Sequence, residues 1–206
     1  MNPSVPAGVL VLLHGYEDEP VGRLVPPDLD HAWEVVEPRG PVELPAGPAW
    51  FGSDHDGPIE ADLVHSLDRI DALVDGLPEG APVVLGGSSQ GGAVALAWSL
   101  RAGTTTRSPA GVFCVNGWLP APQSFTYRPD ALATAGTRVL VVGSRDDEVV
   151  PVQAARSAAR YLERAEVDVM WVELGGGHHV GADAVAAVAG WLGSLRRPGA
   201  PSERAD

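Results

Sequence analysis

Short runs of apolar residues recur along the chain, separated by longer stretches in which apolar residues return every three or four positions. The runs are rich in valine and leucine, and most contain no polar residue. Continuous apolar runs of this length are typical of strands that are buried on both faces, as in a parallel sheet. We therefore predict six strands, at 9–13, 33–37, 83–85, 112–115, 139–142 and 169–174.

The longer stretches have the periodicity of amphipathic helices. Between 59 and 77, steps of four, three, four and three positions put these apolar residues on one helix face: Leu63, Leu67, Ile70, Val74 and Leu77. Further helices are predicted at 93–101, 153–165 and 183–195. Alternating strands and helices predict an α/β fold, a parallel sheet with helices on both faces. Because ligands of such sheets bind beyond the carboxyl ends of the strands, the loops after the strands should carry the chemistry.

The composition is that of a globular protein with an excess of negative charge. The 206 residues have a formal net charge of −13, and all 14 basic residues are arginine. Because such a surface repels phosphate backbones and anionic lipids, we expect neither nucleic acid nor stable membrane association. The single cysteine, Cys114, lies in an apolar run, which excludes a disulfide within the chain and favours a buried, inert thiol.

The length and the two ends of the chain suggest its organisation and location. We expect one domain at 1–195, followed by a disordered, polar and Pro-containing tail at 196–206. The first residues lack the basic residues and the cleavage segment of a secretory signal, and no apolar stretch is long enough to span a bilayer. We therefore expect a cytoplasmic protein, while the oligomeric state stays open.

A candidate nucleophile lies between a predicted strand and a predicted helix. Ser89 is the centre of a Gly-x-Ser-x-Gly pattern, with Gly87 and Gly91 on either side. The pattern alone is a weak signal, but a serine on a tight strand-to-helix turn is exposed at the end of the sheet. The flanking glycines fit because such a turn leaves no room for side chains.

A nucleophilic serine needs a base and an acid that orients the base. Only two histidines follow Ser89 in the chain, and both, His178 and His179, come directly after the last predicted strand. The loop after the preceding strand carries the acidic run DDE at 146–148. The residues themselves therefore leave a choice between the two histidines and among the neighbouring carboxylates.

The same chemistry requires backbone N–H groups to stabilise a developing oxyanion. We expect one from Gln90, the residue after the nucleophile, and one from Tyr16, in the loop after the first strand. His14, beside that loop, is expected to be structural. A metal site at the His pair is disfavoured because adjacent side chains diverge and no third ligand lies nearby. No metal or organic cofactor is expected.

Six segments together resemble the phospholipase/carboxylesterase branch of the α/β-hydrolases, the group that includes acyl-protein thioesterases and small bacterial esterases. In chain order they are LHG (13–15), RGPV with AWF (39–42 and 49–51), GSSQGG (87–92), NGWLP (116–120), DEVVP (147–151) and GH (177–178). The resemblance implies a minimal α/β-hydrolase with about six parallel strands and no lid domain. Its motifs favour Asp147 over Asp146 as the acid and His178 over His179 as the base.

The resemblance also points to the substrate side of the site. Four residues on the matching loops are expected to contact substrate: Trp50, Phe51, Trp118 and Leu119. Two positions depart from the family pattern, since Gly52 stands where an aspartate usually follows the Trp-Phe pair and Asn116 replaces a serine.

The activity that the resemblance implies is that of a serine carboxylesterase. It would cleave small or open-chain esters through Ser89, Asp147 and His178, with an acyl-enzyme intermediate. A thioesterase or a lysophospholipase would use the same triad. A protein that keeps the fold but only binds a ligand is a further interpretation, motivated by the departures from the family pattern.

Overall fold

The computed structural model describes residues 8–19, 24, 33–55, 57–101 and 107–195. Within these ranges the strands are β1 (Val9–Leu13), β2 (Glu34–Val36), β3 (Val42–Leu44), β4 (Gly47–Ala49), β5 (Ser53–Asp54), β6 (Gly57–Pro58), β7 (Val83–Ser88), β8 (Gly111–Val115), β9 (Arg138–Ser144) and β10 (Asp168–Leu174). The helices are α1 (Glu60–Asp75), α2 (Gln90–Leu100), α3 (Pro129–Ala135), α4 (Val152–Arg164) and α5 (Ala182–Leu195).

Six of these strands form one sheet, in the order β10-β9-β8-β7-β1-β2, and every neighbouring pair is parallel. The predicted parallel sheet of about six strands is thus confirmed. The chain passes from β1 outward to β2, returns to the other side of β1 as β7, and then continues outward to β10. The direction of strand addition therefore reverses between β1 and β7, and a crevice at their carboxyl ends is the usual ligand site of such a sheet.

Helices cover both faces of the sheet. Successive side chains of a strand point to opposite faces, so Leu13 and Leu85 belong to one buried cluster while Leu12 and Val84 belong to the other. The first cluster includes buried residues of α1, α2, α3 and α4, and the second includes those of α5. Cys114 is fully buried in the first cluster, and its burial raises the thiol pKa to about 12, as expected of an inert thiol.

Short elements account for most of the differences from the sequence prediction. Helix α3 was not predicted because its seven residues bury a single side chain, Leu132, and so carry no helical period. The two small antiparallel pairs β3-β4 and β5-β6 were also missed, because strands of two or three residues show no alternation. Helix α2 begins at Gln90, immediately after the candidate nucleophile.

Among the described residues, no helix is both long enough and apolar enough to cross a membrane. The predicted tail at 196–206 lies outside the described residues. The expected single domain, the absence of a lid and the cytoplasmic location stay predictions.

Candidate active site

Ser89 lies in a sharp turn between β7 and α2. Its backbone has φ 52° and ψ −121°, a left-handed φ that residues with a side chain rarely adopt. A Cβ on Gly87 would lie 2.3 Å from the carbonyl oxygen of Leu13, and a Cβ on Gly91 would lie 2.2 Å from the same atom. The end of β1 therefore leaves room only for glycine at both positions, as the sequence pattern predicts.

His178 lies in the loop after β10 and contacts both of the other residues predicted to form the triad. Its Nε2 is 2.9 Å from Ser89 Oγ, and its Nδ1 is 2.7 Å from Asp147 Oδ2. Because an ionised carboxylate only accepts hydrogen bonds, Nδ1 carries the hydrogen and donates it to Asp147. Nε2 is then free to accept the hydroxyl hydrogen of Ser89, the geometry that a general base requires.

Asp147, in the loop after β9, is fixed by the backbone around it. Its side chain is fully buried, and its Oδ1 accepts hydrogen bonds from the amides of Val149 at 2.9 Å and Val150 at 2.8 Å. The exposed Asp146 instead accepts a hydrogen bond from the amide of Gly176 at 3.2 Å. Of the two aspartates, Asp147 is the one that contacts His178, while Asp146 links the two loops.

His179, the neighbour of the candidate base, is exposed and is bonded through its backbone. The His179 ring is exposed, and its backbone oxygen accepts a hydrogen bond from Asn116 Nδ2 at 3.2 Å. Asn116 follows β8 with a left-handed φ of 50°, which asparagine tolerates better than most residues. Asn116 is 3% exposed, and within the described part of the chain its Oδ1 has no hydrogen-bond partner.

The loop after β1 lies beside the candidate nucleophile. A Cβ built on Gly15 would be 3.9 Å from Ser89 Cβ, and Tyr16 follows directly. Gln90 is the first residue of α2, where backbone amides have no acceptor within the helix. That the amides of Tyr16 and Gln90 bind an oxyanion stays a prediction, for which both residues lie at suitable positions.

His14 holds this loop in place. Its Nε2 accepts a hydrogen bond from the Gly40 amide at 2.9 Å, so the ring hydrogen is on Nδ1, which donates to the Gly15 oxygen at 2.7 Å. Burial lowers the pKa of His14, while the Gly15 bond and the nearby carboxylates of Asp18 and Glu19 act in the opposite direction. His14 is thus a neutral ring that joins two loops.

Two of the predicted substrate-binding residues lie in the interior instead. Trp50 and Phe51 are each 1% exposed, and neither is among the residues that line the groove described below. The side chain of Gln90 explains their position, because its Oε1 accepts from the Trp50 amide at 2.8 Å and its Nε2 donates to the Phe51 oxygen at 2.7 Å. This contact spans 40 residues of sequence, so no local pattern could have indicated it.

The same loop has two further anchors. Trp50 Nε1 donates to the His14 oxygen at 2.9 Å, and the amide of Gly52 donates to Asp62 Oδ2 at 3.0 Å. Both side chains are buried and outside the groove, and that Trp50 and Phe51 contact a substrate stays a prediction. Both aromatic rings pack in the first buried cluster. The loop is bonded to Gln90, the first residue of α2, and so holds the start of that helix in place.

The other predicted substrate-binding pair is partly buried. Trp118 and Leu119 pack against the first buried cluster, and the Trp118 ring meets that of Phe51 edge to face with centroids 6.2 Å apart. They do not line the groove that contains Ser89. Their contact with a substrate stays a prediction.

A groove of about 520 Å³ opens at the carboxyl ends of β1 and β7. Ser89 and His178 line it together with His14, Tyr16 and Asn116. The position agrees with the reversal of strand order between β1 and β7. Within the described ranges, no group of three or more histidine, cysteine, aspartate or glutamate residues could hold a metal ion.

Known proteins share this fold. Arabidopsis thaliana SOBER1 superposes with a TM-score of 0.70 at 21% identity, covering 92% of this chain and 99% of the other. Zea mays acyl-protein thioesterase 2 gives 0.71 at 19% identity, covering 96% and 97%. The Bacillus cereus carboxylesterase gives 0.75 at 19% identity, covering 94% and 90%. At these identities the likeness concerns the fold.

Sequence comparison shows the family to which the chain belongs. Acyl-protein thioesterase 1 of Cryptococcus neoformans var. neoformans is 30% identical over 133 residues, 54% of this chain and 54% of that protein, so the chain matches about half the length of this relative. The family model described as Phospholipase/Carboxylesterase matches residues 2–193. The resemblance predicted from the sequence motifs is thereby confirmed: the chain belongs to the phospholipase/carboxylesterase family.

Proposed function

We propose that the protein is a serine carboxylesterase with Ser89, His178 and Asp147 as its catalytic triad. The observation that carries the proposal is the continuous chain of hydrogen bonds from Ser89 Oγ through the His178 ring to Asp147, at 2.9 and 2.7 Å. The chain ends in the groove beyond β1 and β7, and the volume of that groove, about 520 Å³, lies within the range typical of small-molecule sites.

The proposed reaction begins when His178 Nε2 takes the proton of Ser89 Oγ as Oγ bonds to the ester carbonyl carbon. The carbonyl oxygen becomes an oxyanion that accepts hydrogen bonds from the amides of Tyr16 and Gln90. The alcohol leaves with the proton from His178, and the acyl group stays on Ser89. Water then gives a proton to His178 and attacks the acyl carbon. As the bond between that carbon and Ser89 Oγ breaks, His178 returns the proton to Oγ and the acid is released. Asp147 stabilises the imidazolium in both steps.

A fluorophosphonate probe tests this assignment, because it forms a covalent adduct preferentially with an activated serine. We expect peptide mass spectrometry to find the adduct on Ser89 and to find none after Ser89→Ala. The neighbouring Ser88→Ala variant is the matched control and should still be labelled. A wild-type protein that takes up no probe and hydrolyses no p-nitrophenyl acetate would favour the interpretation that the protein only binds a ligand.

A thioesterase is the second candidate, favoured by the 30% identity to a protein named acyl-protein thioesterase 1. It would use the same three residues, so the substrates have to separate the two. Values of kcat/KM for p-nitrophenyl esters from acetyl to lauroyl, beside acyl-CoA and a lysophospholipid, make that comparison. A maximum at the short esters supports the carboxylesterase, and a maximum at a thioester supports the alternative.

A further inference from the structure

Tyr16, whose N–H is proposed to bind the oxyanion, shares a peptide bond with Gly15, whose carbonyl oxygen is bonded to His14. That oxygen accepts a hydrogen bond from His14 Nδ1 at 2.7 Å. Because the peptide bond is planar and trans, its N–H and its carbonyl point in opposite directions. The hydrogen bond that fixes the Gly15 oxygen therefore also fixes the direction of the Tyr16 N–H.

The Tyr16 N–H is available to a ligand. It has no hydrogen-bond partner among the described residues, and Tyr16 lines the groove together with Ser89. Most backbone N–H groups of a folded protein are paired, so an unpaired one at the edge of a groove is a suitable donor to a ligand oxygen. What decides whether it can serve is the direction in which it points.

The His14 ring is itself held in one orientation. Its Nε2 accepts a hydrogen bond from the buried Gly40 amide at 2.9 Å, and the ring lies against that of Trp50 with centroids 5.0 Å apart. A flip of the ring would put carbon atoms where the two nitrogens now lie, so both bonds would be lost. The ring can therefore hold the Gly15 oxygen in one place.

The same network reaches Gln90, whose N–H is the other proposed oxyanion donor. Gln90 Oε1 accepts from the Trp50 amide at 2.8 Å, and Trp50 Nε1 donates to the His14 oxygen at 2.9 Å. His14, Trp50 and Gln90 are all buried. Buried hydrogen bonds thus connect the two residues whose amides are proposed to bind one oxygen atom.

We propose that His14 is a positioning residue, which directs the Tyr16 N–H toward the oxyanion through its hydrogen bond to the Gly15 oxygen. The inference rests on the proposed esterase function and gives His14 a part in catalysis that requires no proton transfer. A donor at the carbonyl end of a peptide also polarises it and makes its N–H a stronger donor. Donors that are oriented beforehand need no rearrangement when the charge develops.

Two substitutions of His14 each remove one of its ring bonds. The side-chain amide of glutamine lies near the position of Nε2, so His14→Gln keeps an acceptor for Gly40 and loses the donor to Gly15. The amide of asparagine lies near the position of Nδ1, so His14→Asn keeps the donor to Gly15 and loses the acceptor for Gly40. Each variant loses one buried hydrogen bond, and the two should therefore lose similar thermal stability.

The rates should differ where the stabilities do not. We expect kcat for p-nitrophenyl acetate to fall by about 10²–10³-fold in His14→Gln, as for the loss of one oxyanion donor, with KM little changed. His14→Asn should keep a kcat at least about tenfold higher than that of His14→Gln. The control is His65→Gln, at an exposed position on α1, which should keep the wild-type kcat. Equal losses of kcat in the two His14 variants would overturn the inference, because a purely structural ring would affect both alike.

Ketone inhibitors give a second readout, which depends on the oxyanion itself. A trifluoromethyl ketone adds to an activated serine and forms an oxyanion, whereas the methyl ketone of the same chain length binds without this adduct. In His14→Gln, affinity for the trifluoromethyl ketone should fall by about the same factor as kcat, and affinity for the methyl ketone should stay.

A measurement on the wild type requires no variant to fold. When the trifluoromethyl ketone binds, the NMR signal of the His14 Nδ1 proton should move downfield, because negative charge at the N–H end of a peptide makes its oxygen a better acceptor. An adduct on Ser89 that leaves this signal unchanged would overturn the inference.

The outcomes also separate this inference from the proposed function. If hydrolysis depends on Ser89 but His14→Gln keeps the wild-type kcat, the esterase assignment holds and the positioning role is wrong. If the wild type turns over no ester and forms no fluorophosphonate adduct, both are wrong.

Discussion

Two of the histidines that line the groove, His14 and His178, have surroundings that differ in one decisive respect. Both ring nitrogens of each are hydrogen-bonded, but His14 bonds only backbone groups of Gly15 and Gly40, whereas His178 bonds the side chains of Ser89 and Asp147. Backbone amides and carbonyls do not act as acids or bases at neutral pH, so His14 can only hold its loops together. A hydroxyl and a carboxylate give His178 a proton source and a partner for the resulting charge. The partners, and not the residue type, separate a structural histidine from a candidate base.

The strongest test of the role assigned to His178 is to remove its side chain. His178→Ala should lower kcat for a small ester by about 10⁴–10⁶, the range seen for triad histidines and serines. The matched variant is His179→Ala, which removes an exposed neighbour and should cost less than about tenfold. Steady-state kinetics, with thermal melts to show that both variants fold, makes the measurement. Equal losses in the two variants would contradict the assignment of His178.

The next largest effect concerns the two adjacent aspartates. Asp147→Asn keeps the shape of the side chain but removes the charge that stabilises the His178 imidazolium, so kcat should fall by about 10⁴. Asp146→Asn retains an oxygen that can accept the hydrogen bond from Gly176, and the loss should stay below about tenfold. A kcat measurement on each variant decides the matter, and a greater loss for Asp146→Asn would reverse the choice.

A change beside the nucleophile should affect stability and not only rate. Gln90→Leu leaves the Trp50 amide and the Phe51 oxygen buried without their partners, and each unpaired group costs about 1–3 kcal/mol. Urea unfolding should therefore show a loss of about 2–6 kcal/mol in the free energy of unfolding. The His178→Ala protein serves as reference, because its change removes no bond to a buried backbone group. Unchanged stability of Gln90→Leu would mean that the Trp50 loop is held by its other contacts alone.

The smallest expected effect is a pH dependence of stability that arises from His14. Burial lowers the pKa of His14 in the folded protein below its ordinary value of 6.5, and protonation of Nε2 would remove the bond from the Gly40 amide. The stabilisation is therefore present above the pKa of the unfolded chain and is lost as the pH falls through the lowered folded value.

His14→Gln provides the comparison, because glutamine can accept a hydrogen bond but does not titrate in this range. The free energy of unfolding should fall more for the wild type than for His14→Gln between pH 7.5 and 5.5. The same decrease in both proteins would assign the pH dependence to other groups.

The sheet and the identity of the polar residues at its edge could be predicted from local patterns. The strands appear as continuous apolar runs, and Ser89 and His178 lie on the loops where such a sheet presents its ligand-binding edge. The same reasoning could not find α3, which is too short for a period, or decide how Trp50 lies. The sequence of a loop does not show whether an aromatic ring packs inward or faces a ligand. For Trp50, the contact with the distant Gln90 holds the residue in the interior.

Sequence patterns alone could not show which of two adjacent, identical residues belongs to the candidate triad. Asp146 and Asp147 are chemically identical and consecutive, and their different directions follow from the turn in which Val149 and Val150 donate to Asp147. The two histidines after β10 differ in the same way. Motif resemblance favoured Asp147 and His178, and the hydrogen bonds agree with that preference.

The order of the strands has a consequence for how a newly made chain would become active. Ser89 follows β7, Asp147 follows β9 and His178 follows β10, so the three meet only when the edge strand β10 has paired with β9. A slip of one residue in that pairing would turn the side chains of β10 to the opposite face. Catalytic competence would then return during refolding only after β10 has docked, and its delay behind the burial of Trp98 on α2 would time the docking of that strand.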